Sequence, residues 1–94
     1  MICESVKQEE LRPGDLVFFH KKGDEDKIIE HVGLVYEIQT GKLPVVFHTR
    51  KSAGKALFED LNQAEWLFSP SNQLGTRKIS GFGRVNFKER KKSR

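Results

Sequence analysis

The segments HVGLVYEI (31–38) and VVFHTR (45–50), separated by the polar stretch QTGKLP (39–44), decide how this chain folds. Both are short, rich in β-branched and aromatic residues, and alternating, which is the signature of a strand. In the first, Val32, Leu34, Tyr36 and Ile38 share one phase, and His31, Gly33 and Val35 share the other. The turn residues Thr40-Gly41-Lys42 predict an antiparallel hairpin with a loop of roughly four to six residues, which would set His31 and His48 on one face.

Outward from this hairpin the same pattern repeats. DLVFFH (15–20) follows Pro13-Gly14, a turn pair in which proline fixes φ and glycine tolerates φ > 0. KALFED (55–60) follows Ser52-Ala53-Gly54, and a last strand is expected over Arg84 to Phe87, after a corner at Gly81-Phe82-Gly83. Residues 61–68 (LNQAEWLF) fit a helical turn or another extended piece. The expected fold is mainly β: a curled antiparallel sheet of about five strands forming a small barrel or half-barrel.

Ninety-four residues suit one domain, and 36% apolar residues suffice for its core, but no apolar run approaches the ~18 residues of a membrane span. A soluble chain with no membrane partner is expected. The only cysteine, Cys3, excludes an internal disulfide and a Cys-based zinc site. No metal or other cofactor is expected. Residues 1–15 lack the long apolar stretch of a secretory signal, so the chain as written is expected in the cytoplasm; a start upstream of Met1 would allow the cell envelope or secretion. The net charge of +4 resides in residues 88–94, where Lys88, Arg90, Lys91, Lys92 and Arg94 stand against Glu89 alone. The organisation expected is therefore one domain over 1–87 and a basic disordered tail over 88–94. The tail interleaves no aromatic residue that would stack on bases, so a nucleic-acid partner is not expected.

Among the residues able to do chemistry, His31 and His48 lead. Gly33, with no side chain, leaves space beside His31 for a partner to approach, and a facing His48 would hydrogen-bond His31 and hold its tautomer, as a general base requires. His20, beside Lys21-Lys22, is expected as a solvated strand end. Asp24-Glu25-Asp26 lacks the alternating oxygen ligands of a calcium loop and fits a solvated turn. Ser52, Ser69 and Ser71 stand in turn contexts without a nucleophile elbow. Trp66 and Phe68 are expected in the core.

The run LRPGDLVFF, then HVGLVYE, then VVFHTR with a small-residue loop, and finally FGRV, over roughly residues 9–87, resemble the C-terminal half of an NlpC-type cysteine peptidase domain. That family has a papain-like α+β fold and cuts peptidoglycan stem peptides. The resemblance implies that the sheet is the β-half of such a domain, that His31 is the catalytic histidine and that His48 is its orienting partner. It also implies a nucleophile at the N-terminus of a helix preceding the Pro-Gly-Asp turn, usually within an Asp-Cys-Ser-Gly run. No such run occurs in these residues, and Cys3 is followed by Glu4 and lies too near Pro13 for that helix. The resemblance thus implies a fragment or remnant of a cell-wall peptidase, inactive alone. The alternative is an SH3-like β-barrel binding module without catalysis, its aromatics lining a ligand groove.

Overall fold

The computed structural model describes residues 2–50 and 54–86. Its strands are β1 (Ile2–Val6), β2 (Leu16–Lys21), β3 (His31–Glu37), β4 (Val45–Arg50), β5 (Lys55–Asp60) and β6 (Arg77–Asn86). They form one six-stranded sheet in the order β1-β6-β2-β3-β4-β5, every neighbouring pair antiparallel. Among the described residues the helical elements are single 3-10 turns at Gln8–Glu10 and Leu61–Gln63. The mainly β, antiparallel expectation is met, with six strands instead of five. The sheet is open and not a closed barrel, because β1 and β5 end it on opposite sides.

Strand β6 corrects the expected last strand. It begins at Arg77, and the expected corner Gly81-Phe82-Gly83 lies inside it, paired with β2 on one side and, at Phe82 and Gly83, with β1 on the other. Neither glycine turns the chain, and Gly83 is a site of close packing. A Cβ at Gly83 would stand 2.6 Å from Cys3 Sγ and 2.8 Å from Phe18 Cε2. Phe87, residues 51–53 and the expected tail at 88–94 lie outside the described residues. The β3–β4 connection, residues 38–44, is longer than expected and turns at Gly41, where φ is 72°. Residues 61–68 combine both expected forms, since the 3-10 turn gives way to an extended bridge between Leu67 and Arg77.

The apolar phase of β3 also points the other way from a core. Val35 is buried, whereas Val32, Leu34 and Tyr36 are exposed. The core lies on the opposite face, where Val17, Phe19, Val35 and Val46 pack with Leu11, Leu61, Ala64 and Leu67 from the connecting segments. Each of the valine, leucine and phenylalanine side chains contributes on the order of 1.5–3 kcal/mol on burial, and Ala64 less.

Two of the sequence motifs meet in one structural joint. Asp15 N donates to Arg12 O at 3.1 Å, closing a turn with Pro13 and Gly14 at its centre, and Gly14 has φ 95°, the left-handed conformation a type II turn requires. Gly14 N donates to Val35 O and Val35 N donates to Asp15 O, both at 2.8 Å, so the turn is stitched to the middle of β3. The Asp15 carboxylate accepts from Arg84 Nε and Nη2, each at 2.8 Å, in a bidentate pair. Arg84 Nη2 also donates to Glu10 O at 3.0 Å. The Pro-Gly-Asp turn and the FGRV segment therefore hold β2, β3 and β6 in register.

Candidate functional site

His31 opens β3 opposite Phe19 of β2, on the core face of the sheet. In the β3–β4 ladder Leu34 pairs with Phe47 and Val35 with Val46. One further step of that register sets His48 across from Gly33 and diagonal to His31, within reach of long side chains. The two imidazoles meet there, His31 Nε2 lying 2.7 Å from His48 Nδ1. The expected hairpin and the shared face are both present. The space at Gly33 is not left for an incoming partner, however, because a Cβ there would stand 3.3 Å from Val46 Cβ. Val46 takes that room.

The pair continues into residues that were not expected at the site. Glu59 is diagonal to His48 in the β4–β5 ladder, where Val46 pairs with Glu59 and His48 with Leu57. His48 Nε2 is 2.9 Å from Glu59 Oε1, and Trp66 Nε1 donates to Glu59 Oε2 at 3.1 Å. Trp66 is half-buried and packs against the core, as expected, its ring centroid 5.6 Å from that of His48 and 6.3 Å from that of His31. On the other side Phe19 lies 5.6 Å from His31, ring to ring. The His48 side chain is wholly buried, and that of Glu59 is 17% exposed.

This chain of bonds assigns the protons. An indole nitrogen only donates, so Glu59 accepts at Oε2, and a carboxylate accepts equally at Oε1. His48 Nε2 is then the donor to Glu59. A neutral His48 with its proton on Nε2 has a bare Nδ1, which accepts from His31 Nε2. A neutral His31 with its proton on Nε2 carries its basic lone pair on Nδ1.

Asp60 secures the strand that carries Glu59. Burial raises the Asp60 carboxyl, but bonds from Asn62 N and Nδ2 and from Gln39 Nε2 outweigh it and hold the group below the usual aspartate range. Because this clamp ties the end of β5 to the 38–44 connection, it fixes the phase of the strand, with Glu59 inward.

The other candidates separate from this site. Cys3 lies on β1, three strand positions from β3 and thus about 14 Å away across the sheet. Its Sγ sits beside Phe18 and Gly83 on the face opposite His31. His20 is not a solvated strand end. It is buried, and its Nδ1 lies 2.5 Å from Ser80 Oγ, where the β2–β6 register skips Ser80. The Asp24 carboxylate accepts from Asp26 N and Ile28 N, shaping its own loop. Among the described residues, no group of three or more His, Cys, Asp or Glu side chains is placed to hold a metal ion, and no helix is long and apolar enough to cross a membrane. A cleft of about 320 Å³ lies at the other end of the hairpin, lined by Leu11, Ile38, Lys42 and Pro44 among others.

No protein-family model, no curated protein and no solved structure matches this chain.

Proposed function

We propose that these residues form the histidine-bearing β-half of an NlpC-like, papain-like cysteine peptidase that hydrolyses peptidoglycan stem peptides, with His31 as general base and His48 as its positioning partner. The observation that carries the reading is the chain from His31 Nε2 through His48 to Glu59, which supports a basic lone pair on His31 Nδ1. A thiol brought to Nδ1 would lose its proton to His31, and the thiolate would attack the amide carbonyl carbon. As the imidazolium forms, its Nε2–H bond to His48 strengthens, with the Glu59 carboxylate stabilising the charge beyond. His31 then returns the proton to the departing amine, and water releases the acyl group.

Cys3 cannot be that thiol from the far face of the sheet. The nucleophile would come from a helical segment outside residues 1–94, and the chain would be inactive without it. The SH3-like binding module remains the alternative, favoured by the exposed rings of Tyr36, Phe47 and Phe58, which cluster with centroids 4.5 and 4.8 Å apart.

The test is hydrolysis of a γ-glutamyl-diaminopimelate peptide by the purified chain and by a fusion behind a helix carrying Asp-Cys-Ser-Gly. The chain alone should give no turnover, with Cys3→Ser making no difference. The fusion should turn over, lose all activity in His31→Ala and slow by on the order of 10²-fold in His48→Ala. A folded but inactive fusion would favour the binding module, whereas turnover by the chain alone that survives Cys3→Ser would refute a cysteine mechanism.

A further inference from the structure

On the face of the sheet opposite His31, a β-bulge sets a nucleophile against a base. Phe18 pairs with Gly81 and Phe19 with Ile79, so Ser80 is an extra residue of β6 that the β2–β6 register skips. A bulge re-aims the extra side chain, and bulges are frequent beside active sites. Here it aims Ser80 Oγ at Nδ1 of His20, 2.5 Å away. His20 follows Phe19 in β2 and therefore lies on the other face from the core. It is only 5% exposed, whereas Ser80 is exposed, so the imidazole is packed in place while the hydroxyl meets solvent.

Space for a small molecule adjoins that hydroxyl. A Cβ at Gly81 would meet nothing within 4 Å, and an open groove of about 280 Å³ is lined by Ser80 and Gly81 with Cys3, Phe18 and Ile29 among others. Phe18 and Ile29 give it apolar walls. The neighbouring cations are turned elsewhere. Lys78 lies across from His20 in the ladder and Lys22 two residues beyond it, and their Nζ atoms sit 5.3 and 4.4 Å from the centre of the Phe68 ring. Glu4, which also borders the groove, accepts from Asn86 Nδ2.

We infer that Ser80 is an acyl acceptor with His20 as its general base, and that the pair takes the acyl group of a small apolar ester. With the hydroxyl as donor, Nδ1 of His20 is a bare acceptor. As Ser80 Oγ attacks the ester carbonyl carbon, its proton passes to Nδ1. The tetrahedral intermediate then collapses, the bond to the alcohol oxygen breaks, and His20 returns the proton to that departing oxygen. The product is an ester of Ser80, with nothing oxidised or reduced. An amide is a poorer substrate because an amine leaves less readily than a phenolate, so this reaction is separate from the cleavage of stem peptides.

The test is p-nitrophenyl butyrate added to the full chain carrying C3S, which removes the thiol from the groove, with the acylated residue located by peptide mass mapping. Nitrophenolate release should accompany one acyl group per chain on Ser80. S80A should abolish that label, and H20Q, which keeps a polar side chain at the buried position, should slow it by on the order of 10²-fold. A second measurement stands apart from the folding of H20Q. In the C3S background, S80C should react with iodoacetamide at pH 7 at least about tenfold faster than Cys3 of the parent chain, because an adjacent imidazole draws the proton from a thiol. Acylation that falls on lysines and spares Ser80, a folded H20Q labelled at Ser80 as fast as the parent, or an S80C no faster than Cys3 would overturn the inference.

Discussion

Gly75→Ala is expected to lower the melting temperature by about 12–24 °C and to loosen Trp66 from the imidazoles. Gly75 is buried, and a Cβ there would lie 2.2 Å from Phe68 N, 2.3 Å from Leu67 C and 2.6 Å from Leu67 O. These neighbours are backbone, so no rotamer change relieves the clash. Overpacking costs about 1–3 kcal/mol, and the rigid neighbours put this site near about 3 kcal/mol, with each kcal/mol worth about 4–8 °C in a domain of this size. The strain falls on the segment that roofs the site. Trp66 O accepts from Thr76 N and Arg77 N at 2.9 and 3.2 Å, and Phe68 N donates to Arg77 O at 2.8 Å. Trp66 is the sole tryptophan, so its fluorescence should shift along with the thermal transition. A melting temperature within about 3 °C of the parent would contradict the packing described for this turn.

Asp15→Asn is expected to cost about 2 kcal/mol near neutral pH, a fall of about 10 °C in melting temperature. The Arg84 guanidinium, bonded to both oxygens, is the main reason the Asp15 carboxyl sits below its usual range; burial opposes it, and the bond from Arg12 N assists. A carboxyl whose pKa is lower in the folded chain than in the unfolded one adds stability that is complete above about pH 4 and disappears as pH falls through the folded value. The parent should therefore lose this contribution below about pH 4, whereas the amide of the variant, which does not titrate, has none to lose. Asp60, lowered in the same direction, remains in both proteins. Urea melts at pH 7 and pH 3 should show the parent–variant difference shrinking with acid, and a difference that grows would contradict the role given to Arg84.

The strands β2 to β5 were legible because their evidence is local: alternation within each segment and Gly or Pro beside it. Strand β1 was not, since Glu4 and Ser5 interrupt any apolar pattern in ICESV and only pairing with β6 makes it a strand. The first half of β6 was hidden by Gly81 and Gly83, which read as punctuation; Gly83 serves instead as a flat position beneath Phe18 and Cys3. His31 and His48 were legible as a pair because alternation fixes faces. Glu59 could have been found from the same rule, since Leu57 and Glu59 share a phase in KALFED and Leu57 pairs with His48. Trp66 could not, because its position depends on the turn closed at Gly75, a contact with no counterpart in spacing.

The most direct test of the site is the tautomeric state of its histidines, read from long-range ¹H–¹⁵N correlations of the ¹⁵N-labelled chain above about pH 8, where an ordinary histidine is neutral. The bond chain predicts that His31 and His48 both carry their proton on Nε2, leaving Nδ1 of His31 as the basic nitrogen, and that Glu59→Gln disturbs this pattern at His48. A His31 protonated on Nδ1 with a bare Nε2 would make His48 the donor between the two rings and contradict the assignment of His31 as a base held ready at Nδ1.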